Sequence, residues 1–152
     1  MVIRMHLEHG GDQFTLTIAG YEFPTATDHW DANWLLIRIE LRLATGDRHW
    51  VRVDPSLLAS EVAGLADWLD SVASGAGADA DVDDVIGFIE PNLGFRCPPP
   101  ARTTLGVRLG AECRPPWADR GGDYWCDFPV SAASLRASAA ALREQLARTP
   151  PR

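Results

Sequence analysis

A chain of 152 residues, 46% apolar and 23% charged, has enough apolar material to bury its own core and lacks the composition of a disordered or fibrous protein. Its formal net charge of -7 disfavours direct nucleic-acid binding, because phosphate contacts need a basic surface. The longest apolar stretch, Leu35 to Leu43, is interrupted by Arg38, Glu40 and Arg42, so no run reaches the roughly 18 residues of a membrane helix.

The first segment interleaves Arg4, His6 and Glu8 with apolar residues, which fits neither a signal peptide nor a lipidation motif and leads us to expect a cytoplasmic protein. Ile3, Met5 and Leu7 alternate with those polar residues. After the turn signal Gly10-Gly11-Asp12, Phe14, Leu16 and Ile18 alternate again, predicting a hairpin. Leu35, Ile37, Ile39, Leu41 and Leu43 mark the clearest half-buried strand, and Thr45-Gly46-Asp47 turns it into a partner over His49 to Val53. Asp54 then reads as a helix N-cap with Pro55 at the first helical position, predicting a helix to about Ser74. Leu58, Val62, Leu65, Leu69 and Val72 form its apolar stripe, with Trp68 at the margin.

Residues 73–84 are Ala, Gly, Ser, Val and Asp only, which predicts a mobile acidic loop. Strands resume at Val85 to Ile89, Leu93 to Cys97 and Leu105 to Leu109, with Pro98-Pro99-Pro100 as an extended connector between the last two. Tyr124, Cys126 and Phe128 alternate as a final strand. Ser131 then caps a second helix, whose stripe is Leu135, Ala139, Leu142 and Leu146 and whose C-terminal end carries Arg143 and Arg148. The expectation is one α+β domain spanning residues 1–152: an antiparallel sheet of about seven or eight strands with two packed amphipathic helices. No internal repeat is visible.

Catalytic constellations are hard to find. His6, His9, His29 and His49 lack metal-ligand spacing, and Cys97, Cys113 and Cys126 form neither a paired framework nor a C-x-x-C clamp, reading instead as small buried hydrophobes of a reducing compartment. Asp28-His29-Trp30-Asp31 has no accompanying nucleophile motif and reads as a polar loop. No glycine-rich phosphate cradle opens a helix, and Glu90 with Asp54 or Glu61 reads as caps and surface charge. We therefore expect no enzyme activity, no metal and no cofactor.

Charge is unevenly placed. From Asp54 to Phe95 there are nine acids and no cation, which leaves the rest of the chain slightly basic. Glu61, Asp67, Asp70, Asp79, Asp81, Asp83 and Asp84 are accordingly candidate partner-binding residues, an acidic face suited to a basic protein.

An ordered series of short motifs runs through the chain: Tyr21-Glu22-Phe23-Pro24, then Asp31, Asn33, Trp34 and Leu35, then Asp54-Pro55, then Phe88-Ile89-Glu90-Pro91-Asn92-Leu93 followed by Phe95. It continues with Glu112-Cys113, Pro115-Pro116-Trp117, Asp127-Phe128-Pro129 and the final Pro-Pro-Arg. The series resembles the WapI-type immunity proteins over nearly the whole length. It departs from that pattern where Ser56-Leu57-Leu58-Ala59 stands in place of a Cys-Leu-Thr-Thr type of run. The resemblance implies a bacterial protein encoded beside a large surface-displayed toxin, whose variable C-terminal domain, often a nuclease, it binds and neutralises.

Read physically, the motif residues serve the fold: Pro24 and Pro91 shape turns, Trp34 and Phe95 fill the core, and Asn33 and Asn92 hold loop backbone. The alternative to a toxin-binding protein is a small-molecule or peptide-binding module, with the six tryptophans lining an apolar pocket.

Overall fold

The computed structural model describes residues 3–74 and 83–152. Most of the loop expected over 73–84 lies outside these residues, as do Asp79 and Asp81.

Strands β1 (Met5–His9), β2 (Asp12–Tyr21), β3 (Trp34–Leu43) and β4 (Arg48–Leu58) form one antiparallel meander in chain order. A second meander contains β5 (Val85–Gly87), β6 (Leu93–Arg96), β7 (Thr104–Leu109) and β8 (Tyr124–Pro129). Each runs into a helix, α1 (Ala59–Ala73) after the first and α2 (Ala132–Leu146) after the second. The molecule thus repeats four strands and a helix. Sequence similarity does not announce this, since the corresponding strands differ widely in length and share only an order of elements. Among the described residues, no helix is long and apolar enough to cross a membrane.

The expected helix start at Asp54-Pro55 is overturned: both residues lie in β4, and α1 begins at Ala59. Proline is tolerated there because β4 is the last strand of its sheet and the ladder slips by one residue at this point, pairing Leu35 with Leu57 but Ile37 with Asp54. The capping role assigned to Asp54 belongs to Glu61, whose Oε2 accepts the Leu58 N–H at 2.9 Å. Leu58 is consequently the N-cap residue and not part of the helical stripe. Residues 99–101 form a turn where an extended connector was expected, because β6 and β7 pair antiparallel and the chain must reverse between them.

Both sheets and both helices share one buried cluster. Phe14 of β2 meets Phe95 of β6 edge to face, with centroids 6.3 Å apart, joining the sheets. Val62, Leu65 and Leu69 of α1 and Leu135, Ala139 and Leu142 of α2 complete the layer. Trp68, expected at the margin, is buried, and its indole N–H donates to the Asp83 carbonyl at 2.8 Å.

Candidate functional site

Of the acidic residues expected to meet a partner, several already have work within the fold. Glu61 ties the start of α1 to the loop after β5, its second oxygen accepting the Ile89 N–H at 2.8 Å. Asp67 and Asp70 both bind the guanidinium of Arg143, at 2.8 Å for Asp67, so a cation absent from their own segment arrives from α2. Asp83 and Asp84 have exposed side chains, while their carbonyls accept from Trp68 and Cys97.

The motif residues are brought together far more tightly than their spacing suggests. A groove of about 360 Å³ is lined by Glu22, Phe23, Trp30, Asp31, Trp34, Asp54, Pro55, Ile89 and Glu90. Two bulges lie in the strands that lead into it. One follows Ile18, where Gly20, at φ +143°, adopts a conformation that disfavours side chains, and the other follows Asp54 on β4. They lie on the two neighbours of β3 at the same end of the sheet. The Ile18 N–H beside the first bulge is taken by Gln145 Oε1 at 2.7 Å, so α2 holds this distortion in place.

Asn92 fixes the far wall. Its buried amide donates to Asp54 Oδ1 at 2.9 Å and Ser56 Oγ at 3.0 Å, joining the β5–β6 connection to β4. Ser56 contacts the thiol of Cys113, which burial pushes up to about 11, leaving it a packing group at neutral pH. Arg152 fixes the near wall. Its guanidinium donates to the carbonyls of Phe23, Pro24 and Ala32 and stacks 3.8 Å above the Tyr21 ring, and its backbone exchanges hydrogen bonds with the Asn33 side chain. Asp28 accepts from the N–H groups of Trp30 and Asp31, so the segment expected to be a polar loop leads into a short 3-10 helix over Asp31–Asn33.

Three apolar side chains stay exposed around this framework: Phe23 at 44%, Trp30 at 52% and Ile89 at 56%. Trp30 stands nearly perpendicular to buried Trp34, with centroids 5.8 Å apart. Sequence reasoning passed over Glu22, Trp30, Ile89 and Arg152 as functional residues. The signal available was that all four lie within or beside the motif segments, Arg152 closing the final Pro-Pro-Arg. Phe95 is core, and Pro116 and Trp117 do not line the groove. Trp117 instead donates to the Tyr124 hydroxyl at 2.8 Å.

Partial burial, and then the nearby Asp31, Asp54 and Glu90, raise the Glu22 carboxyl above its ordinary value of 4.5. A carboxyl raised on folding favours the folded state below its ordinary value and loses that contribution as pH climbs through the folded value. Glu22→Gln is therefore expected to raise the thermal midpoint at pH 7, with the gain shrinking towards pH 4. A variant melting at or below wild type at pH 7 would show that the groove carboxylates do not strain the fold. Among the described residues, no three His, Cys, Asp or Glu side chains are grouped to hold a metal ion.

A family model described as the immunity protein WapI-like family matches residues 5–150. No curated protein matches the sequence. One solved structure, WHY3 from Arabidopsis thaliana, is similar over 96% of this chain and 87% of its own, with 12% identity and a TM-score of 0.45.

Proposed function

The chain belongs to the WapI-like immunity protein family, and from that membership we propose that it binds and neutralises the C-terminal toxin domain of a bacterial surface toxin encoded beside it. The observation that carries this reading is the family match over nearly the full length, and it is supported by the clustering of motif residues around one exposed aromatic groove. The site of action is the cytoplasm of the producing cell, and inhibition proceeds by stoichiometric binding without turnover, metal or cofactor.

A nuclease is the target that best fits the net charge of -7, since a surface built to hold phosphate is basic. The acidic stretch that includes Glu61, Asp67, Asp70, Asp83 and Asp84 then attracts the toxin over distance. Lysine at Asp67 or Asp70 would also repel Arg143, so the cleaner variant is Asp83→Lys with Asp84→Lys. That pair is expected to slow association several-fold and to flatten its salt dependence while leaving dissociation nearly unchanged. Association kinetics at low and physiological ionic strength check this, and wild-type rates at both would remove these residues from the encounter.

The proposal itself is tested by mixing the purified chain with the neighbour-encoded toxin domain. Inhibition should titrate to completion near one molar equivalent, with a complex that survives gel filtration. Failure to bind would overturn the reading, and protection at a small fraction of an equivalent would point to a catalytic protein instead.

A further inference from the structure

We propose that the groove between the Phe23–Asp31 loop and the Ile89–Glu90 turn receives an arginine-bearing segment of the toxin domain, an inference that rests on the immunity reading above. Half-exposed Phe23, Trp30 and Ile89 form an apolar rim of the sort that anchors protein partners. Charge selects the occupant. Several surface carboxylates elsewhere are matched, as Glu40 is by Arg38, Arg42 and His49, Asp127 by Arg96, and Asp67 and Asp70 by Arg143, whereas the groove gathers four acids around one opening. Among the described residues, Glu22, Asp31 and Glu90 have no cation within salt-bridge distance, and Asp54 has only Arg52 at 3.5 Å.

These carboxylates line the same groove as Phe23, Trp30 and Trp34, the combination that suits a guanidinium: planar, weakly hydrated, able to stack on a ring while its N–H groups reach carboxylate oxygens. A metal ion finds no ligand set among the described residues, and an anionic partner would be repelled. The volume of about 360 Å³ is at the small end of ligand pockets and suits side chains more than a large ligand. The groove is also held in shape before binding, by Arg152 on one wall and Asn92 on the other, which limits the ordering cost of association.

Binding kinetics with the neighbour-encoded toxin domain test the proposal. Trp30→Ala should weaken the complex about 30-fold, and Asp31→Asn with Glu90→Gln about 10-fold, both through faster dissociation. Trp30→Phe should recover most of the first loss. Each variant changes exposed side chains, and an unchanged thermal midpoint would show that the fold is intact. If wild type binds and the groove variants dissociate at the wild-type rate, the groove is not the contact, while the immunity reading stands. If wild type does not bind, the immunity reading itself falls. Should gel filtration show a dimer that Trp30→Ala converts to monomer, the groove is occupied by a second copy and the proposal is overturned.

Discussion

Phe95→Ala should lower the unfolding free energy by about 3–5 kcal/mol, the range for deleting a fully buried phenylalanine. The side chain is completely buried in β6 and meets two other rings edge to face, Phe14 at 6.3 Å and Phe88 at 6.4 Å. Phe14 belongs to the first sheet, so the substitution opens a cavity where the two meanders join. β6 is paired on both sides, with β5 and β7, which limits its freedom to shift and fill the space. Urea denaturation should show a lower midpoint with an unchanged slope. A loss below about 1 kcal/mol would mean that the sheets are held together elsewhere.

Leu65→Ala should cost about 2–5 kcal/mol, because Leu65 is fully buried in the layer that α1 shares with α2. It does not line the aromatic groove. Under conditions where the variant remains folded, its affinity for the toxin domain should therefore match wild type. An unchanged denaturation midpoint would reject the packing of α1, whereas a large loss of affinity in the folded variant would connect α1 to the contact surface.

Much of the architecture follows from local chemistry. The alternation in β1 to β3, the stripe Val62, Leu65 and Leu69, and the Ser131 cap, whose hydroxyl accepts the Ser134 N–H at 3.1 Å, each carry their own signal in a few neighbouring residues. Asp54-Pro55 misled because the local signal for a helix start is real, but pairing of Leu57 and Leu58 with β3 outweighs it and a bulge accommodates the proline. The ordered motifs from Tyr21 to Trp117 likewise placed the chain in its family without any knowledge of their arrangement.

The site required distances that sequence order does not contain. Asp67 and Asp70 read as free acids because Arg143 lies more than 70 positions away on another helix, and charge pairing depends on separation in space. Conversely, Asp31 read as part of a polar loop, Asp54 as a helix cap and Glu90 as cap or surface charge, yet with Glu22 they line one groove, whose walls Asn92 and Arg152 hold. The sequence by itself determined most of the elements, the excess of negative charge and the family, because each is a local or additive property of the residues. Which carboxylates are neutralised and which are left unpaired was decided only by tertiary structure, through contacts between segments whose positions in the chain say nothing about their separation.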